Sequence, residues 1–222
     1  MKYKYTYSAF QKYLVGSRFN FRELVHLSIE SVLAVIEAFL RNIPTPFGLL
    51  LRRFYYKFRL KSLGKSSIID VGVYFIGPKN ISIGSFTWID TGAKLEATLG
   101  EIQIGSRCHV GSYAVLGSRE PIIVSDFVGI ASGVHIYSNS ETPKAGLHMS
   151  GPMVPESMKG FHSKAIHIGK DAVLGTNSVL LPGACLGEGA ILGALSLLNK
   201  PIPEWEIWLG IPAKKIKNRE RI

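Results

Sequence analysis

The sequence predicts a mainly β protein: a left-handed parallel β-helix of hexapeptide repeats, with an N-terminal helical segment and a long loop insertion. Two observations predict it. From Ile168 to Leu198, aliphatic residues fall at Ile168, Leu174, Leu180, Leu186, Leu192 and Leu198, a period of six. Four positions after each of the first five sits a small residue: Ala172, Ser178, Ala184, Ala190 and Ser196. Neither a helix nor an ordinary strand repeats every six residues; one short strand plus one turn does. Three such hexads make a triangular coil, with the aliphatic residue inside the prism and the small one at the tight corner. Glycines at the next position (Gly169, Gly175, Gly187, Gly193) are expected to ease each turn.

With 222 residues the chain can bury a sizeable core. Its net charge of +10 suits an acidic partner: a phosphate-bearing cofactor, an anionic glycan or a membrane surface. No nucleic-acid module is recognisable and the basic residues gather at the two ends, so nucleic acid is not an expected partner. Cys108 and Cys185 read as free thiols at small-residue positions, in a reducing compartment. The opening MKYKYTYSAFQKYL lacks the apolar core of a signal peptide. A cytoplasmic protein follows, at most peripheral to the inner face of the cytoplasmic membrane.

Three regions are expected: 1–60, helical, basic and amphipathic; 61–200, the β-helix, with a loop insertion at 137–165; and 201–222, a basic C-terminal tail. In the first, Asn20 to Asn42 reads as a helix, opened by Asn20 as N-cap with Glu23 three residues on as its capping-box partner. Glu23, Glu30 and Glu37 argue against a transmembrane span. Pro44 and Pro46 break the chain, and Phe47 to Lys61 then mixes aromatic bulk with Arg52, Arg53, Lys57, Arg59 and Lys61. That mixture suits either a helical cap on the open end of the prism or peripheral membrane contact through residues 20–61.

The early hexads are expected at Val71, Gly77, Ile83, Ile89 and Leu95. Small insertions near Gly100 and Pro121 shift the phase to Ile104, Val110 and Leu116, then to Val124, Ile130 and Ile136. Between Ile136 and Ile168 the chain leaves the prism. Long loops in compact folds usually carry function, so this one is the candidate active-site wall and inter-subunit arm. After Leu198, the prolines of NKPIPEW are expected to end the repeat, and Trp205 and Trp208 to cover its end.

The stretches RLKSLGKSSIIDVGVYFIGPKNISIGSFTWIDTGAKLEA, IGKDAVLGTNSVLLPGACLGEGAILGALSLLNK and WLGIPAKKIKNR resemble the hexapeptide-repeat acyltransferases. The resemblance spans about residues 59–219 and is to the polysaccharide and galactoside-type O-acetyltransferases, whose ending is G-x-P-A-K-x-I-K-x-R. It implies a homotrimer with active sites at the clefts between prisms, and acetyl-CoA as cosubstrate with no metal. Positions matching the family's pantetheine and phosphate contacts are Thr176, Gly193, Ala194 and Lys200, with Lys214, Lys215 and Lys217 in the tail. Lysine suits phosphate as a point charge.

The family's usual catalytic histidine follows the coil before the loop. Here that stretch reads HIYSNSETP, with Asn139 and Glu141 in its place. A related branch carries an N/G-P-x-V-P-E segment, here G-P-M-V-P-E. Other candidates for the base are His162, where the loop returns to the prism, then His135 and His148; Glu141 could serve if burial raised its pKa. Asp90 and Glu96 read as a turn residue and an exposed face residue. The implied function is acetyl transfer from acetyl-CoA to a sugar hydroxyl in surface-polysaccharide synthesis, by direct attack with a general base. The saccharide acceptor would be lipid-linked or nucleotide-linked. Rivals are N-acetylation of a nucleotide-linked amino sugar, a non-catalytic β-helix scaffold, and a zinc enzyme of the γ-carbonic-anhydrase type.

Overall fold

The inward aliphatics end or centre strands of two or three residues, which stack in parallel into three flat faces. The computed structural model describes residues 9–10, 12–144, 146–149 and 153–221. The Tyr/Lys-rich start (residues 1–8) and the first two residues of the G-P-M-V-P-E segment lie outside the described residues. Face A runs from Ser62–Leu63 to Ile166–Ile168, face B from Ile68–Ile69 to Glu206–Gly210, and face C from Tyr74–Ile76 to Leu197–Leu198. The result is a left-handed β-helix with one core down its axis.

That core is a ladder of like residues. Ile89, Val110, Ile130, Leu174 and Leu192 are fully buried on face B; Leu95, Leu116, Ile136, Leu180 and Leu198 are fully buried on face C. Each such side chain contributes about 1.5–3 kcal/mol when withdrawn from water. In the first coil the phase differs from the expected one. Ile69 and Phe75 point inward, not Val71 and Gly77, because a 3₁₀ turn at Pro78–Asn80 inserts two residues before Ile83. The register confirms long early coils: Ile81 pairs with Ile102, and Ile102 with Ile122.

The corners also differ from expectation in their glycine chemistry. The left-handed residue lies two places after each repeat glycine, at Asp171, Asn177, Gly189 and Leu195. The repeat glycines answer instead to close stacking. A Cβ at Gly175 would sit 2.3 Å from the Ala194 amide nitrogen of the next coil. Backbone hydrogen bonds between stacked corners, such as Leu195 N–H to Thr176 O at 2.9 Å, hold the non-glycine residues at positive φ. Cys108 is buried at its corner, whereas Cys185 is partly exposed, because Ala184 takes the small position.

Helices α1 (Phe21–Arg41) and α2 (Pro46–Arg59) cap the N-terminal end. Asn20 and Glu23 form the expected capping box. Tyr56 of α2 is buried edge-on against Phe75, with ring centroids 4.7 Å apart, so α2 closes the core. Among the described residues no helix is long and apolar enough to cross a membrane. At the other end the repeat continues past its prolines. Ile202 bridges to Leu186, and Glu206–Gly210 adds to face B with Trp208 paired beside Leu192. The chain then turns at Gly210 and returns as an antiparallel strand, Ala213–Asn218.

Candidate active site

On face A, Ile122 pairs with Ile166, so the long loop leaves between two adjacent coils. Its ends stay together as an antiparallel hairpin, Asn139–Glu141 against Phe161–Ser163. The hairpin stands beside the corner joining face C to face A and walls a cleft of about 300 Å³ there. Glu96, Arg119, Tyr137, Asn139 and Phe161 line it, with Thr98, Leu99 and the Gly117–Ser118 corner.

Local bonds fix these groups. Ser138, buried at the corner, accepts at its Oγ from the amides of Arg119 and Glu120, both at 2.9 Å. The Arg119 guanidinium lies 4.1 Å from the centroid of the Phe161 ring and pairs with Glu156 of the loop. Glu96 pairs with Lys94 at 2.9 Å. The cleft therefore holds a carboxylate, a guanidinium, an amide and two aromatic rings: hydrogen-bonding and stacking groups suited to a sugar. Tyr137 and Asn139, two apart on an extended segment, reach the same cleft. Arg119, Tyr137 and Phe161 were not singled out by the sequence, and Glu96 was read only as an exposed face residue; the available signal was an outward position near one corner.

The sequence candidates for a base fare differently. Asn139 lies in the cleft. His135 stands at its edge, its ring stacked on that of Tyr137 at 6.1 Å. Glu141, half-buried in the hairpin, pairs with Lys159 at 3.3 Å. His162 is exposed, opposite Ser140 in the hairpin ladder; alternation that sends Phe161 into the cleft sends His162 away from it. His148 is exposed in the loop, its amide bonded to Met158 O at 2.9 Å. The structure does not bring His162 or His148 into the cleft.

The cofactor candidates gather elsewhere. Thr176 and Ala194 are exposed on stacked turns at the corner joining face B to face C. Leu209 packs where a Gly193 Cβ would lie, and Lys214 stands opposite Leu209 in the terminal hairpin. Lys200 places its ammonium 5.0 Å from the Trp208 ring centroid. Lys215 reaches Glu206 at 2.6 Å; this bond and one from the Trp208 indole hold the Glu206 carboxyl below its usual range. Lys217 is exposed in the same strand. The expected tail is thus a built hairpin that brings Lys214 and Lys215 beside the Gly193 corner.

A second polar cluster lies on the coils before that corner. His109 Nε2 is 3.5 Å from Asp90 Oδ2, and Ser112 donates to the same oxygen at 2.9 Å. Burial acts to raise the Asp90 pKa, but bonds from the Thr91 amide and Ser112, with His109 facing it, bring it below the usual value. Among the described residues no group of three His, Cys, Asp or Glu side chains is placed to hold a metal ion.

No protein-family model matches the chain. Individual proteins do. It is 36% identical to an Escherichia coli dTDP-4-amino-4,6-dideoxy-D-glucose acyltransferase, over 72% of this chain and 83% of the relative. It is 33% identical to an E. coli K12 protein named as a lipopolysaccharide-biosynthesis O-acetyltransferase, over 76% of this chain and 83% of the relative. Among solved structures it resembles AntD, an N-acyltransferase from Bacillus cereus in complex with dTDP and 3-hydroxybutyryl-CoA. The TM-score there is 0.70, at 30% identity over 77% of this chain and 89% of AntD.

Proposed function

The chain belongs to the hexapeptide-repeat acyltransferases, and on that premise we propose that it transfers an acyl group, acetyl in the first instance, from coenzyme A to the amino group of a nucleotide-linked sugar. One observation carries the choice of nucleophile. Asn139 occupies the place where the family resemblance expects a histidine, and the described residues that line the cleft, Glu96, Arg119 and Tyr137 among them, include no histidine. A sugar hydroxyl must lose its proton as it attacks, which calls for a well-placed base. A neutral sugar amine attacks unaided, and a carboxylate suffices to take the proton afterwards. The nucleophile is where this reading departs from the expected hydroxyl acceptor.

In the proposed reaction the sugar lies in the cleft, its ring against Tyr137 and Phe161, hydrogen-bonded by Asn139 and Arg119. The amine nitrogen attacks the thioester carbonyl, forming a tetrahedral oxyanion. The carbon–sulfur bond then breaks, coenzyme A leaves as thiolate, and Glu96 takes the ammonium proton and passes it to the sulfur. Thr176, Gly193, Ala194, Lys200, Lys214, Lys215 and Lys217 are the proposed contacts for the pantetheine and phosphates. They sit on a different corner from the cleft, and a homotrimer, in which one prism offers its cofactor corner to its neighbour's cleft, reconciles the two.

A second reading, O-acetyl transfer to a sugar hydroxyl, is supported by His135 at the cleft edge and by the O-acetyltransferase relative. With either acceptor we further propose a cytoplasmic enzyme peripheral to the inner face of the membrane. The test is thiol release from acetyl-CoA with dTDP-4-amino-4,6-dideoxyglucose and, in parallel, with hydroxyl-bearing sugars and glycan repeats. Turnover with the amine alone supports N-acylation; turnover only with hydroxyl acceptors overturns it.

A further inference from the structure

Helix α1 is built inside out. The three carboxylates of residues 9–61 all point inward and are partnered. Glu23 bonds Lys12 at 2.5 Å and the Asn20 amide at 2.9 Å; Glu30 pairs with Arg59 at 3.2 Å. Glu37, buried, accepts from the Tyr56 hydroxyl at 3.1 Å. The opposite face exposes Leu24, Ile29, Val32, Val35, Ile36 and Phe39, with Val35 and Phe39 more than 70% exposed. Its two serines turn back on the helix: Ser28 Oγ donates to Leu24 O at 3.0 Å, and Ser31 Oγ to Leu27 O at 2.8 Å. Helix α2 adds an exposed stripe of Phe47, Leu50, Phe54 and Phe58.

The charge around this apolar face has one sign. Residues 1–61 hold eleven Lys or Arg and three Glu, and those three Glu are the inward ones. Arg18, Arg22 and Lys57 are exposed at its margins. We infer that the outer face of α1 and α2 docks on an anionic lipid bilayer, with α1 lying in the interface and the prism standing on its N-terminal end. This deepens the membrane placement proposed above and holds whichever acceptor the cleft takes.

The alternative occupant, a second copy, fits less well. Two such faces would bring like charges together. A protein interface also carries about one hydrogen bond per 100–200 Å², whereas the exposed side chains between Arg22 and Arg41 are apolar apart from two hydroxyls already bonded to their own helix. Acyl chains require no partner groups, and anionic headgroups suit Arg and Lys at the rim. At 21 residues α1 is about 31 Å long, yet its glutamates and its packing on α2 hold it flat.

The test is co-sedimentation of the full chain with vesicles of phosphatidylcholine alone and with added phosphatidylglycerol. The expected result is binding to the anionic vesicles, weakened by salt and reduced at least tenfold in Val32→Gln/Val35→Gln/Phe39→Gln. Transfer to a soluble nucleotide-linked acceptor stays unchanged in that variant, so this inference and the acyl-transfer reading fail separately. A Val35→Trp variant gives an independent readout: measured against the wild type with its three tryptophans, the added emission shifts blue on anionic vesicles and is quenched by brominated acyl chains. Three results would overturn the inference: no vesicle binding by the unaltered chain, no change in the emission of the Val35→Trp variant, or an oligomer that dissociates in the Gln variant.

Discussion

Arg52 Nε donates to the main-chain oxygen of Ile69 at 3.0 Å, tying helix α2 to the first coil of the prism. The same guanidinium donates through Nη1 to Ile43 O at 2.6 Å, in the link between α1 and α2. A fully buried arginine thus joins three elements by bonding backbone rather than a carboxylate. Replacing it with Met keeps the volume and leaves both carbonyls unsatisfied. Arg52→Met is expected to cost about 2–4 kcal/mol, read as a lowered midpoint in urea unfolding.

Glu37 links pH to stability. Burial is the largest influence on its carboxyl and raises the pKa above 4.5, against bonds from Tyr56 and Tyr55 and the nearby Arg59 and Arg41. The folded state therefore holds this proton more tightly than the unfolded chain. Its contribution is fully present below pH 4.5 and is lost as pH rises through the higher folded value. Glu37→Gln keeps an oxygen for the Tyr56 hydroxyl and removes the titration. Thermal unfolding followed upward from pH 4.5 should show a decline in the wild type that is smaller in Glu37→Gln. Equal slopes would rule the assignment out.

Ser196 anchors the terminal hairpin, accepting at Oγ from the Gly210 amide at 2.9 Å. Its loss frees the turn that sets Lys214 and Lys215 beside Gly193. Ser196→Ala is expected to raise KM for acetyl-CoA severalfold with little change in kcat or in KM for the sugar. A pure fall in kcat would instead put the hairpin outside cofactor binding.

The catalytic assignments separate two carboxylates and three histidines. Removing a general base typically costs about 10²–10⁴-fold in rate. Glu96→Gln is expected to lower kcat into that range, while His162→Ala and His148→Ala stay near wild type. His135→Ala divides the two acceptor readings: a large loss favours a hydroxyl nucleophile, a small one an amine. Glu141→Ala, which breaks the pair with Lys159 in the hairpin, should act through loop order and raise KM for the sugar.

Packing inside face B offers a control remote from the cleft. Ile130 is fully buried between Val110 and Leu174 of neighbouring coils. Ile130→Ala should cost about 2–5 kcal/mol in urea unfolding, with specific activity unchanged at low temperature.

The sequence by itself determined the prism, because an inward aliphatic every sixth residue leaves a chain only one economical way to bury it. It also determined the capping box, where Asn20 and Glu23 lie three apart on one turn, and the coil at which the loop departs. Its phase failed at Val71 and Gly77, since a two-residue corner insertion before Ile83 is invisible to a pattern of six. It placed the base on His162 because the loop returns to the prism there, and alternation in a hairpin that no local pattern announces turned that ring outward. Only the tertiary structure brought together Glu96, Arg119, Tyr137, Asn139 and Phe161, which come from three coils and the two strands of the loop hairpin. Outward residues of a β-helix obey no packing rule that would mark them in the sequence. Their meeting depends on how coils about twenty residues long stack, and on where the loop folds back. The inside-out face of α1 has the same origin: the sequence spaces Glu30 and Glu37 along the helix, but only the packing of α2 sets Arg59 and Tyr56 against them.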